Sequence, residues 1–469
     1  MSNFRIYYFC EKGAYIPMQE LFIAEEIIRA GGKVSVHPIL QTEDLHSIAA
    51  DADANCDGVL IWQERMTVCS RLFHRAVELG HNIKKQVWFG GIFASIYASE
   101  IIEQETAFDS VIKGFGFADI AKVLIANNRD KLIECPGSVN LNNYELNLDL
   151  LEGKEKFAGV MQGYYTSQSC PNNCTYCLLP LRKNMGMPYQ LRDFELVKQD
   201  IQNMKEKLDA RYVSLKDPNF FARKDALPIL SYIPDSGLKV KKNIDIELND
   251  ISEDLVSVIS EDFGINAVFF GLESFSQEVL TTHFKKRSRI ANFYKMLRWI
   301  DKYDVQFDGV LMFGFPWQTE DSILEDAHHA LQLQKHHPHL LILFGPYFPI
   351  PGTPIYEEYF QDAFAGYTYR QKVNLYDPGL QNYRNFPYMK NYHNIDPNWL
   401  LNGIVQFNKI RFRLPDHTHN LLAQGAGRIM MILYEYATLN NNYSMIRALN
   451  RITGIVDSPA LAKLRPLFR

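Results

Sequence analysis

Two apolar rhythms alternate along the first part of the chain. Short runs at residues 5–9, 33–38, 58–62, 86–89 and 110–112 are dense in apolar residues and read as strands. Between them, residues 18–30 and 68–79 place apolar side chains three and four apart, the spacing of amphipathic helices. Helices that cross over between parallel strands predict an α/β, Rossmann-like doubly wound domain over residues 1–134. Its ligand crevice is expected at the carboxyl ends of the strands.

Residues 135–156 break this rhythm with Pro, Gly, Asn and acidic residues and read as a linker. A second series follows, with strands expected at 159–165, 212–215, 243–247, 267–270, 306–312 and 340–344. Helices are expected between them at 194–207, 252–262, 290–303 and 320–333. Six such strands predict a partial (β/α)6 barrel over residues 157–360, with its site at the carboxyl ends of the strands. Residues 361–469 form a third, mainly helical C-terminal region, rich in Tyr, Asn and Phe over 367–393. Its aromatics, among them Tyr367, Tyr369, Tyr383, Phe386 and Tyr388, serve either as packing or as the wall of a pocket for a flat or apolar molecule.

Composition narrows the function. With 47% hydrophobic and 22% charged residues and a formal charge of -5, the chain has the balance of a globular protein and no electrostatic reason to bind nucleic acid. No secretory leader pattern and no apolar run of roughly 18 residues is seen, so a cytoplasmic protein without a membrane span is expected. Seven cysteines, three of them within eight positions, point to metal chemistry in a reducing compartment rather than to disulfides. Five histidines at 328, 329, 336, 337 and 339 read as a solvated helix terminus, since no cysteine accompanies them.

The three crowded cysteines are Cys170, Cys174 and Cys177, directly after the first expected barrel strand. Three thiolates on a strand-to-helix loop wrap one iron–sulfur cluster and leave one iron free for a further ligand. The competing reading is structural zinc, which needs a fourth protein ligand. All cysteines lie at or before position 177, so that ligand would come from Cys10, Cys56, Cys69 or Cys135, upstream of the barrel.

The CxxxCxxC motif, with Tyr176 just before its last cysteine, resembles the radical S-adenosylmethionine (radical SAM) superfamily. Further matches follow in order: Asp217-Pro-Asn-Phe220, Glu247, Gly271-Leu-Glu-Ser274, Phe313-Gly-Phe-Pro316 and Pro349-Ile-Pro-Gly-Thr-Pro354. The resemblance implies a 4Fe-4S cluster that cleaves S-adenosyl-L-methionine (SAM) to a 5′-deoxyadenosyl radical. It assigns the adenine contact to the Tyr176 backbone, and ribose or methionyl contacts to Glu247, Glu273 and Ser274. Lys286, or equally Lys285, would face the SAM carboxylate, and Gly314 and Pro316 would lie along the adenine. Outside the resemblance, the alternative readings are helix caps for these acids and solvation for the lysines.

A Rossmann-like domain placed before such a barrel resembles the cobalamin-binding subfamily. Gly90-Gly91 and the stretch from Phe108 through Gly114-Phe-Gly116 carry that likeness, although Phe115 and Phe117 stand where the family has acidic residues. The histidine-ligated kind of cobalamin domain carries DxHxxG after its first strand, and residues 11–17 hold no histidine. The resemblance therefore implies cobalamin without a protein nitrogen below cobalt, resting on residues 11–17, Trp62 and Arg65, with Gly90, Gly91, Gly114 and Gly116 near its tail. Gly114-Phe-Gly116 follows the last strand of its domain rather than the first and is no dinucleotide fingerprint. The implied activity is a methyltransferase acting on an unactivated carbon of a small molecule, with electrons from a donor such as flavodoxin or ferredoxin. A rearrangement, ring change or oxidation without methyl transfer, and an iron–sulfur sensor, are the alternatives.

Overall fold

Where apolar residues run unbroken, the chain forms parallel strands buried on both faces, as β3 (Gly58–Gln63), buried at all six positions, illustrates. The computed structural model describes residues 1–10, 15–64, 69–158, 162–240, 243–265, 267–337 and 339–375. The first domain runs β1 (Asn3–Cys10), α1 (Met18–Arg29), β2 (Lys33–Leu40), α2 (Leu45–Asn55), β3, α3 (Cys69–Asn82), β4 (Gln86–Gly91), α4 (Ile92–Gln104), β5 (Ser110–Lys113), α5 (Phe117–Ile125) and β6 (Leu132–Glu134). All six strands are parallel, in the order β2-β1-β3-β4-β5-β6. The strand order reverses between β1 and β3, and the crevice of such a sheet opens there, at the strands' carboxyl ends. The expected Rossmann-like domain is present, with β6 added: three residues with two exposed carry too little apolar signal to be read beforehand.

The second domain begins with β7 (Gln162–Tyr164), followed by β8 (Ser167–Gln168), α6 (Leu178–Asn184), β9 (Gln190–Leu191), α7 (Phe194–Leu208), β10 (Tyr212–Leu215), α8 (Ala226–Asp235), β11 (Lys239–Val240) and β12 (Asn243–Ile246). It continues through α9 (Glu253–Glu261), β13 (Ala267–Glu273), α10 (Ile290–Tyr303), β14 (Gln306–Phe313), α11 (Glu320–His336) and β15 (Leu340–Pro346). One parallel sheet runs β11-β10-β7 and another β12-β13-β14-β15. These two sheets hold seven strands, and with β11 and β12, two residues apart in the chain, counted as one rung they make the six rungs of a partial barrel. Among the described residues, no helix is long and apolar enough to cross a membrane.

Residues 135–156 connect the domains as a packed strap rather than a loose tether. Cys135, Val139, Leu141, Leu146, Leu148 and Leu151 are buried, Leu151 bridges Val36, and the Lys156 ammonium holds Glu43 at 2.8 Å. After β15 come α12 (Pro354–Tyr359) and α13 (Tyr369–Leu375), which returns to the first domain. There Tyr369 is fully buried with its ring edge-on to Phe73 at 5.6 Å, and Arg370 forks onto the buried Glu105. Three of the five histidines in and just after α11 are engaged individually: His337 meets Asp301 at 2.7 Å, His339 meets Asp304 at 3.3 Å and His329 meets Tyr294 at 2.8 Å. Neighbouring acids and a tyrosine, not solvent alone, receive them. Tyr383, Phe386 and Tyr388 lie outside the described residues.

The first turn of the barrel hangs on a buried ion pair. Arg192 and Asp200, with side chains 0% and 1% exposed, meet through two nitrogens and two oxygens. The Tyr164 hydroxyl donates to the same carboxylate at 2.6 Å, and Arg192 also donates to the Leu141 carbonyl at 2.7 Å. Because Asp200 would be left charged and buried, Arg192→Met is expected to cost about 3–5 kcal/mol. A fall in the denaturant midpoint of the second domain, followed by circular dichroism, measures it.

Candidate functional site

The cysteine loop is closed at its base by two short strands. β8 and β9 pair antiparallel, Ser167 opposite Leu191 and Gln168 opposite Gln190, so the residues between them project as one loop. The buried Asp217 carboxylate holds the loop's entry by accepting from the Thr166 amide and hydroxyl, both at 3.1 Å, and from the Ser167 hydroxyl. Ser169 adopts a left-handed φ of 58°, and its hydroxyl donates to the Met187 carbonyl at 2.8 Å. Farther along, the Thr175 amide donates to the Phe284 carbonyl at 3.0 Å and the Ile355 amide to the Thr175 carbonyl at 3.3 Å. The loop is thus pinned to the segment after β13 and to α12.

All three thiols of this loop are free of disulfides. Burial raises the Cys170 thiol pKa and pushes Cys174 to about 11 and Cys177 up to about 12. Bare thiolates are costly there, and metal coordination is what makes such thiols give up their protons. Among the described residues, no three His, Cys, Asp or Glu side chains converge on a point that would hold a single metal ion. Cys10, Cys56 and Cys135 are buried in the first domain and its strap. Three thiols on one loop, without a fourth protein ligand among the described residues, suit a multi-iron cluster better than zinc.

Beside the loop lies a buried charge cluster at the carboxyl ends of β12 and β13. Lys286 reaches the Glu273 carboxylate at 3.3 Å, with side chains 5% and 11% exposed, and donates to the Gly271 carbonyl. The Tyr176 hydroxyl donates to the same Glu273 oxygen at 3.0 Å, and the Ser288 hydroxyl donates to Glu247. Burial works against the Lys286 ammonium, but Glu273, then Glu247 and Cys174, outweigh it and hold its pKa above the ordinary value. Glu273 sits at a β-bulge with φ 65°. A Cβ on Gly271 would lie 2.1 Å from the Glu273 carboxylate and 2.7 Å from the Lys286 nitrogen, so the glycine makes room for the ion pair.

A second feature opens against the first domain. A cleft is lined by the ends of β1 and β3 (Tyr8, Phe9, Cys10, Trp62, Gln63, Glu64) and by the barrel residues Ser167, Gln168, Ser169 and Arg182. Arg182, on α6, crosses the cleft to Glu64 at 3.0 Å, and Gln19 donates to the same Glu64 oxygen at 2.7 Å. Burial raises the Glu64 pKa, with Arg182 and Gln19 opposing it. Within the cleft wall Gln19 Oε1, Glu64 Oε1, Gln168 Oε1 and Arg182 Nε are buried without a hydrogen-bond partner.

Comparison with known proteins now bears on these features. Residues 164–330 match the family model of the radical SAM superfamily. The chain carries a radical SAM domain. It is 25% identical over 195 residues to bacteriochlorophyllide d C-12(1)-methyltransferase and 27% identical over 202 residues to bacteriochlorophyllide d C-8(2)-methyltransferase, both of Chlorobaculum tepidum. These matches cover 41% and 42% of this chain and only 41% and 44% of those proteins, so the chain spans less than half the length of the curated relatives it matches. Its fold is like that of the radical SAM methyltransferase TsrM of Kitasatospora setae with cobalamin and a 4Fe-4S cluster bound: TM-score 0.58, 15% identity, 81% of this chain and 80% of that one. It is also like the cobalamin-dependent radical SAM enzyme OxsB, with TM-score 0.52 and 11% identity over 88% of this chain and 62% of that one.

Within the radical SAM domain the residues expected beforehand separate cleanly. Tyr176, Glu247, Glu273 and Lys286 form one cluster beside Cys170 and Cys174. Lys286 is buried rather than solvated, and Lys285 is the exposed neighbour. Ser274 closes a turn by accepting from the Ser276 amide at 3.1 Å. Gly314, at φ 95°, and Phe315 both donate their amides to Gln318, so the loop holding Gly314 and Pro316 is fixed from behind.

In the first domain, Arg65 lies outside the described residues. Trp62 is fully buried and lines the cleft. The glycines make room for the chain itself: a Cβ at Gly90 would meet the Trp62 ring at 2.5 Å, at Gly91 the Gln63 carbonyl at 2.3 Å, at Gly114 the Cys135 carbonyl at 2.4 Å, and at Gly116 the Asp119 carboxylate and Gly137 at 2.7 Å. Phe115 and Phe117 replace acids because both are core residues, and the Arg182 guanidinium lies 5.5 Å from the Phe115 ring. Sequence reasoning missed Arg182, Gln19 and Gln168. Their only signal is polarity within otherwise apolar surroundings.

The charge cluster makes a stability prediction. Lys286→Met leaves Glu247 and Glu273 buried without their cation, which is expected to cost about 3–5 kcal/mol at neutral pH. Urea midpoints of variant and parent check this; equal midpoints contradict it.

Proposed function

We propose that the protein is a cobalamin-dependent radical SAM methyltransferase acting on an unactivated carbon of a small molecule. The observation that carries this is the single cleft bounded on one side by the β1/β3 switch point and on the other by residues 167–169, directly before Cys170. A cofactor in the Rossmann crevice and a cluster on the cysteine loop would then serve one reaction space. When bound, the cluster supplies the electron that cleaves SAM to a 5′-deoxyadenosyl radical, and cobalamin carries the methyl group.

The chain's own residues then hold and orient. Cys170, Cys174 and Cys177 ligate three irons. Lys286 neutralises carboxylate charge, Glu273 and Glu247 accept from amine or ribose hydroxyls, and Tyr176 fixes Glu273 from the loop side. Polar atoms unpartnered in the cleft wall, Gln19 Oε1, Gln168 Oε1 and Glu64 Oε1, accept from an occupant rich in N–H donors, which the peripheral carboxamides of a corrin provide. Gly90, Gly91, Gly114 and Gly116 stand at or just past the carboxyl ends of β4 and β5, outside the residues that line the cleft, and would border the tail. The relatives that act on bacteriochlorophyllides make a flat macrocycle the substrate class to assay first.

The test is anaerobic purification after growth with cobalamin, followed by iron analysis, an optical spectrum and incubation with methyl-labelled SAM. Label in the product, about four irons per chain and retained cobalamin are expected. Product without label replaces methyl transfer by a rearrangement or oxidation, and loss of cobalamin reduces the first domain to a scaffold. Cys170→Ala, Cys174→Ala and Cys177→Ala are each expected to abolish the iron–sulfur absorption and the release of 5′-deoxyadenosine. Normal iron content in any of them contradicts the ligand assignment.

A further inference from the structure

Residues 285–289 read Lys-Lys-Arg-Ser-Arg and alternate in exposure. The inward pair, Lys286 and Ser288, engages Glu273 and Glu247. The outward three, Lys285, Arg287 and Arg289, are exposed, and no described ion pair joins any of them. Their backbone is not loose. Asn249 donates to the Arg287 carbonyl at 2.6 Å and accepts from the Arg289 amide at 3.1 Å. The segment therefore presents three uncompensated cations on a fixed edge, on a chain whose overall charge is -5.

That edge adjoins the cysteine loop. His283 and Phe284, immediately before it, accept hydrogen bonds from Thr175, which lies between Cys174 and Cys177. The loop's own Lys183 adds a fourth cation, held to the Asn172 carbonyl at 2.8 Å and to Asn173 at 2.9 Å. Of the carboxylates nearby in the chain, Asp250 is taken by Asn219 at 2.5 Å, and the exposed Glu278 is bonded to none of these cations. Basic charge thus surrounds the outer approach to the three thiols.

We propose that Lys285, Arg287 and Arg289 are the docking surface for a small acidic electron-transfer protein. The inference rests on the radical SAM reading and adds the place where its reductant binds. Each cleavage takes one electron from the reduced carrier, which is oxidised by one electron. The electron breaks the bond between the SAM sulfonium and C5′, leaving methionine and the 5′-deoxyadenosyl radical, so an external donor is obligatory. Opposite charge steers such an encounter and makes its rate fall with ionic strength. The alternation explains how one segment does both tasks: the side chains that hold Glu247 and Glu273 fix the orientation of those that face outward.

The experiment compares reductants on the reconstituted full chain, with 5′-deoxyadenosine release as the readout. A flavodoxin reduced by its NADPH reductase is one reductant, and dithionite is the other. Arg287→Glu/Arg289→Glu is expected to raise the flavodoxin concentration for half-maximal rate by about ten-fold and to remove its dependence on salt, as reversed rim charges do. The dithionite-driven rate should stay within about two-fold of the parent, and Arg287→Lys/Arg289→Lys should behave as the parent with both. An unchanged flavodoxin response in the charge-reversed variant overturns the proposal, as does an equal loss with dithionite, which would place the damage in the site. Failure of the parent itself to release 5′-deoxyadenosine under dithionite sinks the radical SAM reading, and the docking surface with it.

Discussion

The buried ammonium of Lys286 is the charge on which the site depends. Two carboxylates, Glu247 and Glu273, stand at the ends of neighbouring strands with little access to water, and without a cation between them neither could remain ionised cheaply. Because the cation sits there, Glu273 tolerates a left-handed backbone at a β-bulge, Tyr176 gains a fixed acceptor, and Gly271 must stay without a side chain. The cysteine loop then joins this cluster through Thr175 and the backbone after β13. Loop, bulge and ion pair hold one another in place, and removing any one frees the other two.

The fold was legible because both domains repeat a simple unit. Every expected barrel strand appears, Tyr212–Leu215 with the same limits, because buried parallel strands are short apolar runs that amphipathic helices separate. What escaped notice lacks that contrast. β8 and β9 are two residues each, polar but for Leu191, and exist because an antiparallel ladder closes a loop rather than because their residues favour strands. Residues 135–156 look like a linker in composition, yet their leucines are buried, since apolar residues spread among turns have no period to betray them. The cysteines announced themselves by spacing. Lys286 did not: two adjacent lysines are equivalent in sequence, and only the direction of the segment after β13 turns one inward and leaves the other exposed.

The first domain teaches a different lesson about glycine. Gly90, Gly91, Gly114 and Gly116 lie at strand ends, where a cofactor tail could pass, but each is already required by a neighbouring ring, carbonyl or carboxylate of the chain. A glycine signals close approach without saying what approaches. The polar atoms are more informative, because a buried acceptor without a donor is costly and marks where a donor, water included, would be accepted.

The Arg182–Glu64 contact shows how the two domains come to share a cleft. Arg182 lies on α6, the helix that Cys177 caps, and Glu64 follows β3 of the first sheet. Their meeting at 3.0 Å, with side chains 17% and 18% exposed, ties the cysteine loop to the switch point of the sheet. The guanidinium also covers Phe115, where an acid would have competed with Glu64 for it, so the apolar residue at that position directs Arg182 to one partner. The strap of residues 135–156, the Ile16 amide on the Gly163 carbonyl at 3.0 Å, and the Phe115 amide on the Met185 carbonyl at 3.0 Å fix the same approach from other sides. A cleft bounded by so many fixed contacts is preorganised: it does not need to be assembled by whatever enters it.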